Sequence, residues 1–310
     1  MDYCFGVDIG GTTVKIGLFQ TDGVLMDKWE IKTRTENEGE AILPDVAEAL
    51  KKKMEEKGLK SSQMSGIGIG IPAPVDEEGI VQNTANLGWG YKEVSREMKE
   101  LTGMKVAAGN DANVAALGEM WLGAGKGHKN MIMVTLGTGV GGGVIVNGQP
   151  LTGAHGAGGE IGHLCVNYKE TERCGCGKQG CLEQYGSATG IARLARKRLA
   201  KDDAPSSLRD MEKVDAKAVF DALKEGDQVS EEIVEEFGSY LGHAMANIAV
   251  VTDPTVIVIG GGVSKAGSIL LKYIEKYFTE KAFFANKETK FVLAELGNDA
   301  GICGAAKLIL

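Results

Sequence analysis

Apolar and polar positions alternate through residues 3–9 and 13–19, and the period of two predicts a pair of β-strands, with a third near 24–32. Over 37–57 the period lengthens to that of a helix, which stops at Gly58. "SGIGIGIPAPVD" (65–76) reads as a strand running into a proline turn. Residues 91–102 read as a helix, 104–108 as a strand, and 111–122 as a helix opened by Asn110 or Asp111, both good N-cap types. A strand–glycine–strand unit at 131–147 comes next, then helices near 184–200, 215–224 and 229–252. "TVIVIGGGVS" (255–264) is a buried strand ending in a glycine turn, ahead of a helix at 265–281. A strand at 289–294 and a helix at 300–309 close the chain. Strands alternating with helices imply an α/β fold with largely parallel sheets. The polar stretch 201–215 reads as a surface loop, not a domain boundary.

The pattern contains an echo. Val7-Asp8-Ile9-Gly10-Gly11-Thr12 is answered by Val134-Thr135-Leu136-Gly137-Thr138-Gly139, and each passes through a glycine–threonine turn into a second strand. Repetition of this kind suggests two similar domains, each beginning with a β-hairpin. Backbone N–H groups at such tips form concave anion sites, and the missing Cβ lets phosphate oxygens approach. Thr12 and Thr138 add hydroxyl donors and Lys15 a positive charge, so two facing tips could grip a polyphosphate. Asp8 beside phosphates makes sense if a divalent cation, Mg²⁺, lies between. A plain hairpin would also use these glycines. Two copies together with Asp8 and Lys15 favour phosphate. Gly137, Gly139 and Gly142 also satisfy G-x-G-x-x-G, but a dinucleotide fingerprint must open a helix, and this stretch continues as a strand.

Composition narrows the choice. The chain has 310 residues, 43% of them hydrophobic, enough for about two domains with sizeable cores. A formal net charge of -8 argues against a nucleic-acid partner, so an anionic ligand must be held by local devices. No apolar run approaches a membrane span, and the glycine turn starts too early to leave room for a signal peptide. The expected location is therefore cytoplasmic. Six cysteines fall unevenly: Cys4, Cys165 and Cys303 are scattered, while Cys174, Cys176 and Cys181 are bunched, as in a metal site.

The two hairpins resemble the phosphate hairpins of the actin/hexokinase-like ATPase superfamily. Within it, "GNDANVAALGE" (109–119), "GAGGEIGH" (156–163) and "CGCGKQGCLE" (174–183) resemble the ROK sugar kinases over essentially the whole chain. "LGEMWLGAG" (117–125), "VTLGTGVGGG" (134–143) and "LGNDAG" (296–301) resemble most the bacterial glucokinases of that family. The resemblance implies two actin-like (RNase H-like) domains with a cleft between them, about 1–109 plus 299–310 forming the smaller and 110–298 the larger. It also implies a homodimer. "IPAPVD" has Ala73 where the family usually shows glycine, a modest change unless that position needs a positive φ.

His163, Cys174, Cys176 and Cys181 supply one imidazole and three thiolates, the composition of a closed structural Zn²⁺ site, with free thiols as the alternative. A hexose is held by carboxylates and amides, each matched to a hydroxyl. Asn86, Asn110, Asp111, Glu160, His163 and Glu183 stand at positions that contact glucose in the resembling kinases. Local roles compete for several of them: Asn110 or Asp111 as a helix cap, Glu183 as a helix start, Asn86 as a turn residue. Asp111 is the candidate general base toward the sugar 6-hydroxyl. The resemblance places Gly10, Gly11, Thr12, Lys15, Thr138 and Gly139 around the phosphates of ATP, and Gly260, Gly261 and Gly262 toward the adenosine, with Asp8 organising Mg²⁺. The expected reaction is phosphorylation of D-glucose to glucose 6-phosphate. The alternatives are another hexose or N-acetylhexosamine, or a sugar-sensing protein without catalysis.

Overall fold

The computed structural model describes residues 2–310. Their contacts divide the chain into two compact units. One holds the chain up to Lys129, Gly143–Gly159 and Glu295–Leu310; the other holds Asn130–Gly142 and Glu160–Ala294.

In the first unit β1 (Tyr3–Ile9), β2 (Thr13–Gln20) and β3 (Leu25–Lys32) form an antiparallel meander. Helix α1 (Ile42–Lys57) leads to β4 (Met64–Ile71), which lies parallel beside β1. The short β5 (Ile80–Val81) and β6 (Lys92–Glu93) pair with each other. Helix α2 (Val94–Thr102), β7 (Val106–Asn110) and α3 (Asp111–Leu122) follow, with β7 parallel to β4. The sheet order is β3-β2-β1-β4-β7. One departure from the sequence pattern has a local cause. Helix α1 starts at Ile42 rather than 37, because Asn37 and Glu38 take left-handed φ of 51° and 57° in a short 3-10 turn. Its end falls where expected, at Gly58 with φ 64°.

The strands of the second half are β8 (Met131–Leu136), β9 (Val140–Val146), β10 (Gln149–Pro150), β11 (Val256–Gly260) and β12 (Lys290–Leu293). Their order is β10-β9-β8-β11-β12, so the third-second-first-fourth-fifth arrangement of the first sheet recurs. The repeat in the sequence is thus a repeat in topology. Between β10 and β11 run α4 (Glu183–Gly186), α5 (Ala188–Leu199), α6 (Ala216–Lys224) and α7 (Gln228–Thr252). Helix α8 (Ser268–Lys281) lies between β11 and β12, and α9 (Ala300–Leu308) ends the chain. Ser187, Asp215 and Asp227 cap α5, α6 and α7 by accepting from Gly190, Ala218 and Ser230 N–H groups. Residues 201–215 are more structured than a plain surface loop. A 3-10 turn at Ser207–Asp210 buries Leu208, and Asp215 is the α6 cap.

The first core is built from both faces of the first sheet, as parallel strands require. Phe5, Val7, Ile9, Ile67, Ile69 and Ile71 cluster with Ile42, Leu43, Val46 and Leu50 of α1. On the other side Cys4 and Phe19 meet Ile302, Cys303, Ala306 and Ile309, which come from α9 and the C-terminal end. Burying each large aliphatic side chain contributes about 1.5–3 kcal/mol. Helix α9 also crosses α3 at glycines: a Cβ on Gly304 would collide with the Val114 carbonyl, and one on Gly118 with the Ala300 carbonyl. This close crossing keeps α3 in the first unit, beyond the division at 109 that the resemblance implies. The buried Glu119 of α3 accepts from the N–H groups of Ala124, Glu295 and Leu296 at 2.9, 3.2 and 2.8 Å. Among the described residues, no helix is long and apolar enough to cross a membrane.

Candidate active site

The β1–β2 hairpin places Asp8 directly opposite Lys15. Its turn is closed by Gly10 N–H donating to the Thr13 carbonyl at 3.0 Å, and Gly11 and Thr12 are exposed at the tip. A residue unmarked by any motif holds this tip. Buried Thr33 donates its hydroxyl to the Gly10 carbonyl at 2.6 Å and its N–H to the Thr12 carbonyl at 2.9 Å. Asn86 lies beside the tip, its Cβ 3.4 Å from where a Gly11 Cβ would stand.

Asp8 faces the start of α9: a Cβ on Gly301 would lie 2.5 Å from Asp8 Oδ2. Glycine there lets the carboxylate approach a helix N-terminus, where the dipole favours an anion. Burial pushes the Asp8 carboxyl up from its ordinary value, and the nearby Lys15 works against that rise. Lys15 Nζ lies 3.5 Å from the Asn298 carbonyl.

Of the two cap candidates, Asn110 is the one the structure uses. Its Oδ1 accepts from Ala112 and Asn113 N–H at 3.0 and 3.2 Å, and its Nδ2 donates to the Ala73 carbonyl at 3.1 Å. The Asn110 amide is therefore occupied by backbone partners. Asp111 becomes the first residue of α3, half-buried, with Oδ1 2.8 Å from Ala112 N. Ala73 is buried and is absent from the positive-φ residues, so alanine in place of glycine costs nothing in backbone strain.

In the second unit the Gly137–Gly139 tip follows β8, with Gly137 N–H donating to the Gly139 carbonyl at 3.0 Å. Glu183 opens α4, and its Oε2 accepts from Val140 N–H at 3.2 Å. Its Oε1 lies 3.5 Å from Cys174 Sγ. A Cβ on Gly139 would strike this carboxylate, which explains glycine at the tip's last position. Glu160 is exposed just before the short 3-10 turn that carries His163.

His163, Cys174, Cys176 and Cys181 converge, their ligand atoms all within 4.8 Å of one another. Cys176 and Cys181 sulfurs are 3.6 Å apart, and Cys174 Sγ is 3.9 Å from His163 Nδ1. A tetrahedral ion with metal–sulfur bonds of about 2.3 Å separates its sulfurs by about 3.8 Å, so the cluster is sized for a metal. None of the three thiols is in a disulfide. Burial and the crowding of neighbouring thiols push Cys181 up to about 12, and burial also raises Cys174. For Cys176 burial acts the same way, yet the Lys178 N–H and the adjacent thiols bring it below its ordinary value. A cation relieves this crowding by replacing the protons.

A cleft of about 340 Å³ lies against the glycine turn after β11, lined by Ala188, Asp215, Ala216, Phe220, Gly262 and Val263 among others. Of the three glycines singled out in the sequence, Gly262 lines it. Gly260 ends the buried β11, and Gly261 has φ 84° with a would-be Cβ 2.5 Å from the Leu136 carbonyl, so both serve backbone packing. The α6 side of the cleft carries no motif, and the sequence reading missed it.

A profile described as the ROK family matches residues 4–310. A protein named glucokinase from Halalkalibacterium halodurans is 43% identical over 98% of this chain and 94% of its own length. Among solved structures, a ROK hexokinase from Thermus thermophilus superposes with a TM-score of 0.83 at 31% identity, covering 99% of this chain and 97% of that one. A ROK family glucokinase from Streptomyces griseus, in complex with glucose and AMPPNP, gives 0.74 at 32% identity, covering 99% and 98%. Two sheets of one strand order, two glycine tips, a Cys3His cluster and a match along nearly the full length agree: the chain belongs to the ROK family.

Proposed function

We propose that the protein is an ATP-dependent glucokinase, forming glucose 6-phosphate and ADP from D-glucose and ATP. The observation that carries this reading is the Gly–Thr tip repeated at the first hairpin of each of two sheets with the same strand order. The glucokinase name of the Halalkalibacterium halodurans relative and the two ligands of the Streptomyces griseus structure support it.

Gly10, Gly11, Thr12 and Lys15 of the first unit, and Thr138 and Gly139 of the second, hold phosphate oxygens through N–H, hydroxyl and ammonium donors. The cleft beside Gly262 takes the adenosine, with Phe220 and Val263 offering apolar surface. Asn86, Asp111, Glu160, His163 and Glu183 meet the sugar hydroxyls. Asn110 orients Asp111 through the α3 cap, and sugar contact through its amide would require it to share its backbone partners. His163 turns Nδ1 to the cysteines, leaving Nε2 for a hydroxyl.

Phosphoryl transfer asks the protein chiefly for positioning and charge stabilisation. Asp111 takes the proton of the 6-hydroxyl as that oxygen bonds to the γ-phosphorus and the bond to the ADP oxygen breaks. Mg²⁺ held near Asp8 would neutralise phosphate charge. His163, Cys174, Cys176 and Cys181 would hold Zn²⁺, which with four protein ligands would serve a structural task. The active protein is a homodimer located in the cytoplasm.

A panel of hexoses and N-acetylhexosamines, read by coupled detection of ADP, tests the reading. Glucose should give the highest kcat/KM. ATP left unconsumed with every sugar would sink it, and a different preferred sugar would retain the kinase and change the substrate.

A further inference from the structure

The segment from Cys181 to Thr189 touches the metal cluster at one end and the second phosphate tip at the other. Cys181 is a candidate ligand, and its N–H donates to Gln184 Oε1 at 3.1 Å while Gln184 N–H donates to the Cys181 carbonyl at 3.0 Å. These reciprocal bonds tie the ligand to the first turn of α4. Glu183 in that turn reaches Val140 N–H with one oxygen and stands 3.5 Å from Cys174 Sγ with the other. At the far end of α4, Ser187 donates to the Glu183 carbonyl at 2.7 Å and caps α5. Ala188 N–H then donates to the Gly137 carbonyl at 2.8 Å, and the Thr189 hydroxyl to the Thr138 carbonyl at 2.7 Å. Three of the four residues Gly137–Val140 are thus held by this one segment.

The metal loop is closed by backbone bonds, from Cys174 N–H to the Lys178 carbonyl at 2.8 Å and from Gly177 N–H to the Cys174 carbonyl at 2.9 Å. Gly175 and Gly177, with open space where side chains would stand, add no side-chain packing to that turn. Binding of a cation fixes four ligands, two of them flanking α4 in sequence or contact. Order gained at one end of a packed segment lowers the entropy cost of ordering the other end, which makes two sites cooperative.

We infer that the α4–α5 junction is a strut coupling occupancy of the Cys3His centre to nucleotide affinity at the Gly137–Gly139 tip, with Glu183 and Thr189 as positioning residues. The inference rests on the kinase reading above. Zinc should tighten binding of the phosphate chain without touching it, and nucleotide should in turn slow the loss of zinc, because linkage is reciprocal.

The test is calorimetric titration of AMPPNP into the full-length protein, zinc-loaded and chelator-stripped, for the wild type, Thr189→Val and Thr189→Ser. Zinc content and the circular dichroism melt are recorded for each. Stripping should weaken AMPPNP binding by the wild type about fivefold or more, the lower end of ordinary coupling. Thr189→Val should carry a full zinc complement yet bind AMPPNP more weakly and respond less to stripping; Thr189→Ser, which retains the hydroxyl, should behave as the wild type. Should the stripped protein melt early, zinc release into excess chelator from the loaded protein, with and without AMPPNP, reads the same coupling. Wild-type affinity and zinc release that are indifferent to the other ligand overturn the strut alone, as does undiminished coupling in Thr189→Val. A zinc-loaded wild type that fails to bind AMPPNP overturns the kinase reading and the strut with it.

Discussion

The hydroxyl of Thr33 donates to the carbonyl of Gly10 at 2.6 Å, so an end residue of the β3 region fixes the curvature of the first glycine tip. Thr33→Val removes the hydroxyl while keeping the shape, leaving the Gly10 carbonyl without this donor. The expected cost is about 1–3 kcal/mol in urea denaturation. The KM for ATP should rise while that for glucose stays near the wild-type value. Equal changes in both would show that Thr33 serves general stability.

Asp111→Asn keeps the volume and the half-buried place of the side chain at the start of α3 but removes the carboxylate proposed as the base. Turnover should fall by about 10²–10⁴ with glucose affinity retained, as measured by single-turnover kinetics and calorimetry. Near-wild-type kcat would eliminate Asp111 from the chemistry. Asn110→Ala acts one step back: losing the cap and the tie to Ala73 should cost about 1 kcal/mol of stability and lower kcat by misplacing Asp111.

Gly304→Ala drives a methyl group into the Val114 carbonyl at the α3–α9 crossing, where backbone rather than a side chain must move. Stability should drop by about 3 kcal/mol, visible as a lower urea midpoint. Retention of the wild-type midpoint would mean that the two helices cross less closely than described.

Glu170 supplies the pH dependence. Burial opposes its ionisation, but hydrogen bonds from Tyr185, the Glu172 N–H and Arg193 hold its carboxyl down to about 2, against an ordinary 4.5. A depressed carboxyl stabilises the fold above the unfolded-state value and loses that contribution as pH falls toward the folded-state value. Wild-type Tm should therefore fall between about pH 4.5 and 2 through this group. In Glu170→Gln, Tm should be lower near neutrality and flatter across that window. Parallel Tm curves for the two proteins would exclude Glu170 as the titrating group.

What the chain determined by itself is local. Periodicity placed strands and helices because side chains two or three to four apart share a face, and that holds before any tertiary contact forms. Glycine with threonine at a turn, a capping side chain ahead of α3, and cysteines with a histidine at ligand spacing declare themselves because each works within a few residues or repeats a pattern. Tertiary structure decided whatever depends on partners far along the chain. It chose Asn110 over Asp111 as the cap, since Ala73 supplies the second bond. It brought α9 onto α3 through Gly304, put Thr33 under the Gly10 tip, buried Glu119 against the N–H groups of 295 and 296, and joined Asp215 and Phe220 to Gly262 around one cleft. No neighbouring residue signals these pairings, because the free energy that selects them comes from burial and hydrogen bonds formed only when distant segments close together.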